Sequence, residues 1–144
     1  MNIRIIAVGR LTEPFFKYGL YYYIERLKKY CVLSIIEIKD ESMPENFSAL
    51  QRKAALEKEG ARILELISPT DYTIALAIDG DLIRKNFSSL LSEHTAITFI
   101  IGGSVGLPDS VLKRANKKIS LSGLTFPHRL TRLILLEALY LATH

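Results

Sequence analysis

The chain has little cysteine, little histidine and no apolar run long enough for a bilayer. Its single cysteine, Cys31, has no internal partner for a disulfide. Standing at the head of the apolar run Cys31–Ile38, it reads as a buried, inert thiol suited to a reducing cytoplasm. The three histidines, His94, His128 and His144, are far apart, and no CxxC or HxxxH spacing occurs. That argues against zinc, and no metal is expected. No apolar stretch reaches the roughly 18 residues of a membrane span, and MNIRIIAVGR is broken too soon for a secretory signal, so no membrane partner is expected. Acids are missing between Asp109 and Glu137, where Lys113, Arg114, Lys117, Lys118, Arg129 and Arg132 fall together with His128. In a chain of net charge +4, such a segment suits either a polyanionic partner, RNA first, or a solvated basic face. Repeats, low-complexity tracts and linkers are also absent, so residues 1–144 read as one domain.

What is present alternates in type. Strand signals fall at Ile3–Val8, Val32–Ile38, Tyr72–Ile78, Ile97–Ile101 and Lys118–Leu121. Several are nearly continuous apolar runs, as in a sheet covered on both faces. Helical patterns lie between them, at Pro14–Lys29, Ser48–Ile67, Ile83–Ser92, Pro108–Ala115 and Pro127–Thr143. Thr12 is a candidate cap for the first helix. The alternation predicts an α/β fold, a mostly parallel sheet with helices on both faces. KDESMPEN, residues 39–46, reads as a surface connection. Of Tyr21, Tyr22 and Tyr23, one or two are expected to pack, the rest facing solvent or a partner.

The most informative stretch runs from Thr98 to Leu130. An apolar run meets the turn Gly102-Gly103-Ser104-Val105-Gly106, and a second apolar stretch meets Ser122-Gly123-Leu124-Thr125 before Pro127 opens the last helix. Two strand-to-turn-to-helix units therefore stand back to back, each freeing backbone N–H groups for a small polar or anionic ligand. The first turn is not the dinucleotide fingerprint, because two of its glycines are adjacent. It is also consistent with a tight turn needing positive φ at one glycine. Asp79-Gly80-Asp81 looks like a calcium loop, but the twelfth position would be Leu90, which cannot ligate.

The order FIIGGSVGL, VLKRA, ISLSGLTFPHRLTRLILLEALY resembles the RlmH family, SPOUT-class enzymes that methylate N3 of a pseudouridine in large-subunit ribosomal RNA with S-adenosylmethionine. MNIRIIAVGRL, IIEIKDESMPEN and KEGARIL resemble the same family, so the likeness spans nearly the whole chain. It implies a C-terminal trefoil knot, a rare topology. It implies also a homodimer packed through the knot region, for which Leu130, Leu133, Ile134, Leu136, Leu139 and Tyr140 of the last helix offer an apolar face that serves as core, dimer contact or both. By position, the resemblance assigns the cofactor pocket to Leu76, Gly102, Leu121, Ser122, Gly123, Leu124, Thr125 and Phe126. Leu76, Leu121, Leu124 and Phe126 would form an apolar slot for adenine, its polar edge taken by backbone groups.

A sulfonium methyl group is already activated, so such a protein chiefly aligns donor and acceptor and helps the acceptor imide lose its proton. His128, beside the cofactor loop, is the candidate polar contact to base or cofactor, or else a helix-terminal histidine bonded to backbone. Arg129 and Arg132, three apart on one helix, are candidates to hold phosphate or the imide oxygen. Lys113, Arg114, Lys117 and Lys118 are candidate phosphate contacts. One departure stands out: the family usually continues into a basic tail ending Tyr-His-Lys, whereas this sequence stops at His144, with Leu141 where arginine is common. That keeps open an alternative, an RNA- or ribosome-binding SPOUT protein with weak or no catalysis.

Overall fold

The apolar runs become a single parallel sheet. The computed structural model describes residues 1–83, 86–122 and 127–143. Its strands are β1 (Asn2–Val8), β2 (Val32–Ile38), β3 (Thr73–Leu82), β4 (Ala96–Ile101) and β5 (Lys117–Ser120), in the order β2-β1-β4-β3-β5. Every pairing is parallel. The helices are α1 (Pro14–Leu27), α2 (Ala49–Glu65), α3 (Phe87–Ser92), α4 (Asp109–Arg114) and α5 (His128–Thr143).

Both faces of the sheet are covered, which explains the unbroken hydrophobicity of its strands. Ile3, Ile5 and Ala7 of β1 pack with Phe99 of β4 against Leu27 of α1, Phe87 and Leu91 of α3, and Leu135, Leu136 and Leu139 of α5. Ile6 and Val8 point the other way, onto Ile63 of α2 and Val111 of α4. The three α5 leucines are fully buried, each worth about 1.5–3 kcal/mol, so the first turn of α5 is carried by a firmly seated helix. Cys31 is buried, Tyr23 packs near Tyr140, and Tyr21 and Tyr22 are exposed, as the sequence suggests.

Local chemistry sets the ends. Ser48 caps α2 through a reciprocal pair, Gln51 N–H to Ser48 Oγ and Ser48 N–H to Gln51 Oε1, a capping box. At α1 the cap is Glu13, in extended conformation and without a side-chain cap bond, ahead of Pro14; Thr12 does not serve.

Two expected boundaries shift. β3 runs on to Leu82, and α3 begins only at Phe87. The cause is a break in register: Leu76 and Asp81 both pair with Ile119, so Ala77, Ile78, Asp79 and Gly80 are looped out before the strand rejoins β5. Ile83, expected to be helical, donates its N–H to Ser120 O at 2.9 Å. Gly80 permits this, because a Cβ there would lie 2.7 Å from the backbone of Lys118 and Ile119.

Candidate cofactor groove and acceptor edge

The excursion in β3 builds a groove. Leu76, Ala77 and Ile78 form one wall; Ile119, Ser120, Leu121 and Ser122 form another; Thr131 of α5 closes it, around an open space of about 390 Å³. It lies where β5 ends and α5 begins, a carboxyl-end position typical of ligand sites in open α/β sheets. Ser120 is buried and its Oγ donates to Ser122 O at 2.7 Å, folding the chain sharply at the groove floor. Ile78 on the wall is 77% exposed, an apolar side chain with no protein cover.

Of the eight residues expected to hold a cofactor, Leu76, Leu121 and Ser122 come together here. Gly102 stands at the end of β4 and is not among the lining residues. What its missing Cβ serves is the turn itself, since that atom would sit 2.7 Å from Gly106 O. Gly106 has φ +82° and closes the turn by donating to Gly103 O at 3.1 Å, so the tight-turn reading holds. Gly123, Leu124, Thr125 and Phe126 lie outside the described residues. Sequence reasoning missed Ala77, Ile78, Ile119, Ser120 and Thr131. No local pattern marked them, since the strand signal Tyr72–Ile78 stops short of Gly80.

Beside the groove, the first turn of α5 presents His128, Arg129 and Arg132. His128 is half-buried, and burial, with Arg129 and Arg132 adding like charge, holds its pKa below the ordinary 6.5; Asp40 and Glu13 oppose this only weakly. The imidazole is therefore neutral over a wider range than an exposed one. Arg129 and Arg132 part company. Arg129 is exposed and ion-paired with Glu13. Arg132 is only 2% exposed. Its Nη1 donates to Glu37 Oε2 at 2.5 Å, and its Nη2 donates to Val8 O at 3.2 Å and Gly9 O at 2.6 Å. Glu37 Oε2 also accepts from Leu11 N–H at 2.9 Å. Arg132 thus ties α5 to the ends of β1 and β2 rather than reaching into solvent.

The basic segment, one-signed in sequence, is not so in space. Arg114 Nη2 donates to Ser68 O and Asp71 O at 2.8 and 3.1 Å. Lys117 pairs with Asp81 at 3.6 Å and Lys118 with Asp79 at 3.3 Å. Arg114 ends α4 and Lys117 starts β5, so both stand at the opposite end of β5 from the groove turn, as does the exposed Lys113. Of the candidate RNA contacts, only Arg129 sits beside the groove's helix end. Among the described residues no cluster of His, Cys, Asp and Glu is placed to hold a metal ion, and no helix is long and apolar enough to cross a membrane.

A groove at the carboxyl edge of a parallel sheet, floored by a serine turn and closed by the last helix, suits a methyltransferase that binds a nucleoside cofactor. The family described as "Predicted SPOUT methyltransferase" matches residues 1–144, and the chain belongs to it. Among relatives, it is 46% identical over 148 positions to "Ribosomal RNA large subunit methyltransferase H" of Clostridioides difficile (strain 630), covering 99% of this chain and 93% of that one. The protein of the same name from Carboxydothermus hydrogenoformans is 44% identical with the same coverage. A solved structure titled "Crystal structure of an hypothetical protein" superimposes with a TM-score of 0.57 at 12% identity, over 99% of this chain and 67% of that one, a likeness of fold alone.

Proposed function

We propose that this chain, working as one cytoplasmic domain of residues 1–144, transfers a methyl group from S-adenosylmethionine to N3 of a pseudouridine in large-subunit ribosomal RNA, without a metal. The carrying observation is the likeness, at 44–46% identity over almost all of both chains, to proteins named as large-subunit ribosomal RNA methyltransferases. The groove residues fit the cofactor. Leu76, Ile78, Ile119 and Leu121 offer an apolar slot for a flat base, and Ile78 is bare until something lies on it. The chain around Ser120–Ser122 supplies backbone polar groups at its edge. Gly102 and the segment Gly123–Phe126 belong to the same proposal.

The bound cofactor supplies a methyl group already activated for in-line displacement. The protein's own part is to hold the acceptor against the groove and to take the imide proton. His128 is the group proposed for that proton, because a half-buried imidazole held below its ordinary pKa is neutral and able to accept. Arg129, opened from Glu13, would contact phosphate; Arg132, buried, would position α5. A testable consequence is an acid limb in the kcat profile with midpoint below 6.5, the ordinary histidine value. His128→Asn should remove that limb and lower kcat roughly 10²- to 10⁴-fold, the range for a general base. A limb unchanged by the substitution would assign the proton elsewhere.

A homodimer and the trefoil knot complete the proposal. Leu135, Leu136 and Leu139 of α5 are spent on the core, but Phe15, Tyr18 and Tyr21 of α1 and Leu141 of α5 are exposed. α1 packs on α5, so these side chains belong to one helical layer, and such an apolar surface favours a partner copy. The test of function is mass mapping of nucleosides in ribosomal RNA from cells with and without this protein. The expected result is one methylated pseudouridine in the large-subunit RNA that disappears with the protein and returns on adding it with S-adenosylmethionine. Ribosome binding with no mass change would favour the alternative of a non-catalytic binder, and a change in tRNA would point to another SPOUT activity.

A further inference from the structure

Every cation of the basic segment near the acceptor edge is already engaged: Arg129 by Glu13 and Arg132 by Glu37. Lys117, Lys118 and Arg114 are held by acids and carbonyls at the far end of β5. A polyanion approaching the groove would need other charges. Two are present. Arg10 and Lys39 are exposed, and among the described residues neither side chain has an acid within ion-pair distance or a hydrogen bond, though the Lys39 charge acts on the Glu41 carboxylate. They follow the carboxyl ends of neighbouring strands: Gly9 N–H donates to Ile38 O at 2.8 Å, one step past the pair Val8 and Ile38, which sets Gly9, the residue before Arg10, beside Lys39.

Both are mounted on held backbone. Gly9 O accepts from Arg132, and Leu11 N–H donates to Glu37. Lys39 O accepts from Arg62 Nη1 at 2.9 Å, and Glu41 N–H donates to the buried Glu59 at 2.8 Å. The nearby acids are largely spent: Glu13 and Glu37 as above, and Glu41 on Arg62 at 2.5 Å. Asp40, next to Lys39 in the chain, faces His128 and Gly9 and subtracts one charge from the positive edge that Arg10 and Lys39 form.

Consecutive residues of α5 join the two places: Thr131 lines the groove, and Arg132 touches the carbonyl that precedes Arg10. From β5 to β1 is three strand spacings, roughly 14 Å at about 4.8 Å each. That is too far for Arg10 to touch a base seated at the groove, and near enough for the strand that carries it. Enzymes acting on a base also grip its flanking nucleotides.

We propose that Arg10 and Lys39 form the phosphate clamp of the acceptor RNA, holding the strand beside the target nucleotide at the carboxyl edge of β1 and β2. This rests on the reading of the chain as an RNA methyltransferase. Cations carried on hydrogen-bonded backbone and free of close ion pairs contribute affinity and salt dependence without reading sequence.

The experiment is steady-state methyl transfer to ribosomes purified from cells lacking this protein, over a range of salt. Arg10→Ala with Lys39→Ala should raise KM for ribosomes on the order of tenfold and lower the slope of log(1/KM) on log salt by roughly 1 per residue removed. The affinity for S-adenosylmethionine, kcat and the melting temperature should stay near wild type. Arg10→Lys should keep most of the slope, and Lys29→Ala, in the exposed turn between α1 and β2 at the opposite edge of the sheet, should leave KM unchanged. An unchanged KM in the double variant overturns the clamp. So does an equal rise in Lys29→Ala, or a raised KM with the salt slope intact, which would indicate a ribosomal protein contact. Absence of transfer by the wild-type protein would instead overturn the functional reading itself.

Discussion

Arg132→Met should cost the fold about 3 kcal/mol, whereas Arg129→Met, one turn earlier on the same helix, should cost under about 1 kcal/mol. The difference is environment. Arg132 is buried and joins the Glu37 carboxylate to the carbonyls of Val8 and Gly9. Methionine fills similar space but withdraws the guanidinium from the Val8 and Gly9 carbonyls and the cationic partner from Glu37, which keeps only the Leu11 N–H. Breaking a buried pair costs about 3–5 kcal/mol. The lower end applies, because the Glu37 side chain keeps 37% exposure and can recover some hydration. Arg129 and Glu13 pair at the surface, where water and salt already screen them. Urea denaturation of the two variants checks this, and equal losses would mean that Arg132 is not the tie between α5 and the strand ends. Because α5 also closes the groove through Thr131, the Arg132 variant should bind cofactor more weakly than its residual stability alone would suggest.

Gly80→Ala should damage the groove more than the fold. A Cβ at residue 80 would meet Lys118 and Ile119 backbone atoms at 2.7 Å, and backbone cannot swing aside as a side-chain end can. The strand must lift away from β5, at a cost of about 1–3 kcal/mol for overpacking. The looped-out residues 77–80 carry Ala77 and Ile78 of the groove wall, so that displacement falls on the cofactor. Misplacement of positioning groups by about 1 Å costs on the order of 100-fold in rate. Methyl transfer should therefore slow by about that factor, and calorimetric titration with S-adenosylhomocysteine should show weakened affinity, while a cooperative melt survives. Retained affinity would mean that the excursion in β3 is not part of the site.

How much of this was legible in the chain follows from which forces are local. Strands buried on both faces announce themselves as unbroken apolar runs, so all five strands and the parallel sheet could be read from composition along the chain. A strand end, a turn and a proline-started helix in immediate succession marked the turn at Ser122 as a place for a ligand, whereas Leu76 and Leu121 came to the cofactor pocket only through the family resemblance. The excursion in β3 was not legible. Leu76-Ala77-Ile78 continues an ordinary strand pattern, and only the pairing of both Leu76 and Asp81 with Ile119 reveals the loop.

Charge was the least legible feature. Lys117 and Lys118 look unopposed over many residues of sequence, yet Asp79 and Asp81 are brought to them from the neighbouring strand. Arg132, three residues from Arg129, reads as a second surface cation. Its inward course depends on Glu37, 95 positions away, a separation that no local pattern encodes. Conversely Arg10 sits outside the basic segment, and only the fold brings it to the same sheet edge as Lys39.

The most direct test follows the side chains of the groove while ligand is added. With isoleucine, leucine, valine and threonine methyl groups labelled, S-adenosylmethionine should shift the signals of Leu76, Ile78, Leu121 and Thr131 in saturable fashion, leaving Ile63 and Val111 on the opposite sheet face still. Saturable binding with those four groove signals unmoved, or no binding at millimolar ligand, would contradict the account.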